Sequence, residues 1–371
     1  MSASVKPSRL LLRLEAEIAT ARTPVEVDCK RAERAAYLAR LGRFSEARVE
    51  LDAIRQRYGR VPQVAVSAWV NFSEGLLSYF SNVAVSDDRV QRAHALSVAA
   101  GLRPLRAVCA AWLAQWDCAK FDWDRLAIRI AEALQLAGPE DHAARSRASL
   151  VAAQVLHIGG RPDLAQIWNR RAKDHATADG DDATISALMH NMAWLHMMTL
   201  RQVVLTGRGD PHAGTHALMS AESNEHFDAM VGDSSWQELK PILRAQIVSL
   251  QGDASQAIAL YTEHLDKMKT VSRLQANLLA DKAWCHVQLG QLSEARSSAD
   301  VAVTSLIDET QLDDRAATHS RLAQVFGSLG ADQEQLRHEQ LATEAWKEYE
   351  SVQLKAVASL CKLDDKGGLD R

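Results

Sequence analysis

The stretch with the most chemical promise is Asp210-Pro-His212-Ala-Gly-Thr-His216, followed by Glu222, Glu225 and His226. Histidines four residues apart lie on one helical face and can share a zinc ion. Gly214 stands between them and weakens the helix that such a pair requires. A closed site also needs third and fourth ligands, which no spacing here supplies. Polar loop residues are the better reading. Cys285 and His286 are a nucleophile and a base by type. Neighbours on a helix point about 100° apart, so these two cannot act on one another directly. His190 and His196 are six apart and share no face; they read as ordinary helix residues. A phosphate-binding glycine loop, a nucleophile elbow and an HExxH pair are all absent. The expectation is a protein that is not an enzyme, with no catalytic residue, metal or cofactor. The alternative is a metal-dependent or catalytic protein that uses the segment 206–235.

The elements that carry these residues recur. Trp284 to Ala299 reads as a helix end, a turn at Gly290 and a new helix, with Glu294-Ala295 just beyond the turn. The same order stands at Leu41-Gly42-Arg-Phe44-Ser-Glu46-Ala47. Looser copies begin at Gly160, Gly252 and Gly330. Glycine closes a helix in the left-handed conformation without steric cost. A small residue such as Ala295 lets two helices approach closely. One hairpin cannot bury its apolar faces alone, so copies must stack.

The pattern of Gly, an aromatic or apolar residue, then Ala in this turn resembles the tetratricopeptide repeat. Phe44 and Ala47, and Leu292 and Ala295, match it; Pro162, Ala254 and Asp332 stand where the aromatic would be. Gly252, Gly290 and Gly330 are 38 and 40 residues apart, longer than the family's period of about 34. That longer period is similar to the repeat regions of bacterial signalling and transcription regulators. The resemblance implies an all-α, right-handed α-solenoid of about eight antiparallel helix pairs. It also implies a non-catalytic scaffold or regulatory adaptor that binds a partner segment in a concave groove.

In such a solenoid the first helix of each pair lines the inner face. Aligned on their turn glycines, Gln154, Gln246, Trp284 and Gln324 fall at equivalent places, two turns before the hinge. Glutamines there could bond a peptide backbone. Asn191, Asn277 and Arg321 fall on or near the same face by helical spacing. Trp69, Trp112 and Trp116 could add apolar contact, although core packing is their plainer role. The clusters Arg31–Arg34 and Arg145–Arg147 read as solvated faces, with a carboxylate-binding groove as the sharper option.

The eight prolines sit in loops or first helical turns, and Thr23-Pro24-Val-Glu26 is a capping box. The expected helices are 1–22, 24–41, 44–58, 63–82, 87–100 (capped by Ser86), 104–119, 123–137, 140–158, 162–178 and 181–205. After these come 213–230 in an irregular insertion at 206–235, then 237–251, 254–269, 272–289, 293–307, 314–328 and 332–350, the last running on to about 362. Residues 1–362 are expected to form one solenoid, with a polar tail at 363–371.

Hydrophobic residues make up 47% of the chain, too many for a disordered protein. A net charge of −4 leaves no basic footprint for nucleic acid. Five cysteines show no CxxC spacing and read as reduced thiols. The run Leu10–Leu12 is too short for a signal peptide. The longest apolar stretch, 187–200, is broken by His190, Asn191 and His196 and falls short of a membrane span. The expected compartment is the cytoplasm and the expected partner a protein or peptide, with no nucleic acid and no membrane. Apolar end faces could also support a homodimer.

Overall fold

The computed structural model describes residues 6–81, 87–207, 213–268, 272–308 and 310–364. Among them are seventeen α-helices and no strand. After α1 (Arg9–Thr20) the helices come in pairs. The first four are α2 (Pro24–Arg40) with α3 (Phe44–Tyr58), α4 (Val64–Phe80) with α5 (Asp88–Ala99), α6 (Arg103–Ala119) with α7 (Trp123–Leu136), and α8 (His142–Ile158) with α9 (Pro162–Asp179). The next are α10 (Asp182–Thr206) with α11 (Ala213–Val231) and α12 (Leu239–Leu250) with α13 (Ala254–His264), which runs into a 3-10 turn, Leu265–Met268. The last are α14 (Ser272–Gln288) with α15 (Leu292–Thr304) and α16 (Leu312–Ser328) with α17 (Asp332–Asp364). The expected Ser86 cap, residues 208–212 of the 206–235 segment and most of the tail lie outside the described residues.

The chain forms two compact units. Unit 1 is Met1–Leu188 with His226–Trp236 and Leu354–Arg371, and unit 2 is Met189–Glu225 with Gln237–Gln353. In both, first helices pack on first helices: α2 on α4 and α6 on α8 in unit 1, α12 on α14 and α14 on α16 in unit 2.

The turn inside a pair has one physical form. Gly42, Gly160, Gly252, Gly290 and Gly330 all have positive φ, between 70° and 90°. In each turn the next residue's N–H donates back to a carbonyl five residues earlier, as Gln291 does to His286 (2.9 Å) and Arg43 to Leu38 (2.9 Å). The turn between α6 and α7 makes the same bond, Asp122 to Asp117 (2.9 Å), but Phe121 holds the left-handed position at φ 55°. Without a glycine, that copy is invisible to a glycine pattern. Five residues past the glycine stand Ala47, Ala165, Ala257 and Ala295, each at most 1% exposed. The last pair inverts the arrangement. Gln335 occupies the alanine position, and Gly327 of the facing helix makes room for it: a Cβ there would lie 2.8 Å from Gln335 Oε1.

The expected insertion at 206–235 is mostly a regular element. α11 packs on α10 through Ala193, Met197, Leu200, Ala217 and Ala221, and His196 Nδ1 lies 2.9 Å from Ser220 Oγ. The glycine period breaks there because α10 has 25 residues and α11 has 19.

Unit 1 joins α1 and α2 to the turn between α9 and α10. Arg13 Nη2 reaches Asp179 Oδ1 (2.6 Å), and Arg40 Nη2 donates to Asp181 Oδ2 (2.7 Å) and to Thr184 Oγ1 (2.5 Å). Leu10, Leu14, Tyr37 and Leu41 pack with Ala183. The Ser234 N–H donates to Leu41 C=O (3.1 Å), directly over Gly42. In an array where each repeat touches only its neighbours, contacts this distant in sequence would not form.

Gly42 and Gly290 share a backbone conformation but not surroundings. A Cβ at Gly42 would lie 2.5 to 2.6 Å from Ser234 and Ser235 atoms, whereas nothing stands within 4 Å of one at Gly290. Gly290→Ala should therefore cost only the left-handed penalty, about 1–2 kcal/mol. Gly42→Ala should cost clearly more, because the 232–236 segment must also move. Urea unfolding followed by circular dichroism checks the order; equal costs would contradict the close approach.

Candidate functional site

The expected polar face divides between the units. In unit 2, α10, α12, α14 and α16 converge on a buried polar network. Arg201 of α10 is 1% exposed. Its Nη1 donates to Asn277 Oδ1 (3.1 Å) and Asp314 Oδ1 (2.8 Å), and its Nη2 donates to Asp313 Oδ2 (2.7 Å). Gln246 Nε2 donates to the same Asn277 oxygen (3.0 Å). One turn along α14, Asp281 Oδ1 accepts from Arg321 Nε (3.0 Å), and Arg321 Nη1 donates to Gln324 Oε1 (2.9 Å).

Burial sets the charge states. Desolvation works against the Arg201 cation, but Asp314 and Asp313 together raise its pKa above the ordinary arginine value. Asp313 is pushed up by burial and by the adjacent Asp314 charge, against the pull of Arg201. Tyr261 is raised by burial foremost. Gln246 Oε1, Asn277 Nδ2, Asp281 Oδ2 and Arg321 Nη2 are buried with no protein partner among the described residues. Two arginines and three carboxylates, all at most 4% exposed, are thus held by one another.

Gln246, Asn277 and Arg321, at 2%, 0% and 2% exposure, are therefore framework, closed off from solvent. Their outer neighbours are half-buried and border an open space. Trp284 and Gln324 line an open groove of about 860 Å³ with Ser320, Gln335, Glu339 and Trp346. Arg321 lies 5.7 Å from the Trp284 ring centroid and bonds Gln324, so the buried network orients both groove residues. Trp346 Nε1 donates to Ser320 Oγ (3.0 Å), which fixes the second indole. Thr343, Lys347 and Glu350 complete the rim.

The remaining predicted residues lie elsewhere. Gln154 is half-buried in unit 1, where its Oε1 accepts from Gln115 Nε2 (3.4 Å). Asn191 is half-buried on α10. Trp69, Trp112 and Trp116 belong to an apolar cluster of unit 1. The arginine clusters are not solvated faces. Arg31 and Arg34 both reach Glu50, Arg145 caps the carbonyls of Ala137 and Gly138, and Arg147 is 5% exposed. Asp210 and His212 lie outside the described residues; His216 has its ring 5.8 Å from that of His196. Among the described residues no three His, Cys, Asp or Glu side chains stand together as metal ligands. Cys285 Sγ lies 3.1 Å from Ser249 Oγ while His286 Nδ1 lies 2.7 Å from Gln291 Oε1, so the adjacent pair faces different partners. No helix among the described residues is long and apolar enough to cross a membrane.

Arg201, Asp313, Asp314 and Trp346 were not among the expected site residues. Arg201 had a signal. It is the sole lysine or arginine in a 25-residue helix that is otherwise largely apolar. Such a charge must find a buried partner. Asp313 and Asp314 read as first-turn acids suited to a helix dipole, which hid their second role.

Set against known proteins, the chain matches no family model and no curated protein significantly.

Two outcomes follow. Arg201→Ala leaves Asp313 and Asp314 buried without their cation and should cost about 3–5 kcal/mol. Arg201→Met combined with Asp313→Asn and Asp314→Asn should recover much of that loss in urea unfolding; a mild Arg201→Ala would show that the charges are not truly buried. Beside the groove, His319 Nδ1 and His338 Nδ1 are 3.0 Å apart and both rings are buried. Burial, then His338, pushes His319 down from 6.5 to about 4, and burial lowers His338 as well. Between those values the unfolded chain binds protons that the folded one refuses, so stability falls as pH falls from 6.5 toward 4. His319→Gln should flatten that part of a melting-temperature profile, and an unchanged slope would remove this pair from the acid response.

Proposed function

We propose that this chain is a non-catalytic binding protein whose unit 2 groove receives an extended segment of a partner protein. The observation that carries the reading is the arrangement of Trp284, Gln324 and Trp346. One indole and an amide are held by the buried Arg321, and a second indole by Ser320, at the mouth of an open groove. Rigid anchors of this kind lower the ordering cost of binding. The indoles suit apolar anchors, and the Gln324 amide nitrogen suits a backbone carbonyl of a peptide. Glu339 and Glu350 outnumber Lys347 on the rim, which favours a segment with a basic residue.

The finer fold reading, a right-handed α-solenoid of the tetratricopeptide kind, is supported in both units by the stacking of first helices and the repeated glycine turn, while the Arg40–Asp181 contact of unit 1 departs from a neighbours-only array. The adaptor role in regulation rests on the sequence resemblance alone.

The test is to pan the immobilised full-length chain against random short segments and measure the hits by calorimetry. Segments carrying an apolar and a basic residue should be enriched. The double variant Gln324→Ala/Trp346→Ala should bind them at least about tenfold more weakly. Raised salt should weaken the wild-type interaction, because the rim charges are exposed. Hits that bind wild type and variant equally would move the site off the groove, and an empty screen would end the segment-binding reading.

A further inference from the structure

We propose that unit 1 contains a second binding site, for a small monoanionic organic carboxylate, with Arg147 as its cation and Trp112 as the wall behind it. Arg147 on α8 is 5% exposed and Trp112 on α6 is 2% exposed. The guanidinium carbon sits 3.7 Å from the Trp112 ring centroid. Among the described residues Arg147 makes no hydrogen bond and no ion pair, and its Nη2 is buried without a partner. Arg201, Arg321 and Arg40 each also keep one buried nitrogen without a partner among the described residues, but unlike Arg147 each is bonded to a carboxylate.

The local charge does not cancel. The neighbouring cation is Arg40, and Tyr79 and then the carboxylate of Asp181 act on Arg147 in the opposite sense. Asp181 is already taken: both of its oxygens accept from Arg40 Nη2, and its Oδ1 also accepts the Thr184 N–H. Asp181 is thus committed to Arg40, which leaves the Arg147 charge without a bonded carboxylate. Burial first, and the Arg40 charge second, push Arg147 down to about 9, so it remains a cation at neutral pH. A buried charge without a partner is costly, and an anion from outside removes the cost.

The geometry selects the class of anion. Stacking on the indole occupies the flat face of the guanidinium and leaves its N–H edge as donor. A carboxylate pairs with that edge in a planar, two-point manner. One surplus charge matches a monoanion better than a phosphate dianion. Around it stand Tyr79, whose ring is 6.0 Å from Trp112, and Trp236, whose ring is 5.5 Å from Tyr79; both are half-buried. The half-buried Gln115–Gln154 pair continues the same faces of α6 and α8. Rings beside the cation suit an aryl or apolar body on the acid. The depth of Arg147 and Trp112 favours a free small acid over the end of a polypeptide.

The experiment uses the full-length chain with benzoate and phenylacetate as probes, uncharged benzamide and inorganic phosphate as controls, and a short peptide with a free C-terminus. The carboxylates should raise the melting temperature and change tryptophan fluorescence, while benzamide should do neither. Arg147→Met replaces a lone buried cation by an apolar side chain of similar length, a change such sites tolerate; it should melt no lower than ligand-free wild type and ignore the probes. Arg147→Lys keeps the charge but loses the flat stack and the fork, and should bind at least about tenfold more weakly. Should the methionine variant fail to fold, the lysine variant decides. The proposal is overturned if neither carboxylate has an effect at about 10 mM, which is weaker than any useful affinity. It is equally overturned if the variants respond like wild type, or if phosphate, benzamide or the peptide binds in preference.

Discussion

The fold depends on how closely two helices can lie at the end of their shared turn. A left-handed residue reverses the chain within one turn, and its successor's N–H bonds back into the first helix, as at Gly290 and Gln291. The next helix then starts against the first, with room for little more than a methyl group at its first inward position. Ala47, Ala165, Ala257 and Ala295 fill that position and are all at most 1% exposed. The last pair shows that the requirement is volume and not alanine as such. Gln335 is accommodated because the opposing helix carries Gly327. Each hairpin is thereby closed at its tip and presents a broad apolar face to the next, which is why first helices stack on first helices in both units.

That local constraint is why so much of the helix pattern was legible. Caps and turn glycines act within a few residues, so α2 begins where Thr23 and Glu26 form their box, and α13 begins where Asp253 accepts from the Gln256 N–H. What could not be read depends on partners far along the chain. Nothing local says that Arg40 pairs with Asp181, 141 residues away. Phe121 hides a turn because the bond from Asp122 to Asp117 and the surrounding packing hold a phenylalanine where glycine is expected. The polar face was legible as a set of positions and not as a set of roles. Helical spacing placed Gln246, Asn277 and Arg321 on one face. It could not show that Arg201, from another helix, would cover that face.

This covering changes how unit 2 presents itself. A ladder of amides open to solvent would bond any extended backbone with little selectivity. Here Arg201 takes the Asn277 oxygen, Asn277 takes Gln246, and Asp281 takes Arg321. The polar groups left facing outward are fewer and held from behind. Trp284, Gln324 and Trp346 cannot move without disturbing a buried partner or a fixed hydrogen bond. Rigid, sparse anchors favour side-chain recognition over general backbone capture.

The two units solve the problem of a buried arginine differently, and the contrast has consequences. Arg201 is enclosed by two carboxylates and an amide oxygen, so its charge is matched inside unit 2, although its Nε is buried without a partner among the described residues. Arg147 is nearly as buried but rests on an indole alone. Stacking on an aromatic ring offsets only part of the cost of removing a guanidinium from water. The nearby Asp181 cannot supply the rest without releasing Arg40, which ties α2 to the start of α10. Neutralising Arg147 from inside the protein would therefore loosen unit 1, whereas neutralising it from outside would not. An interior that keeps both its closing ion pair and an uncompensated cation is electrostatically complete only when an anion is added.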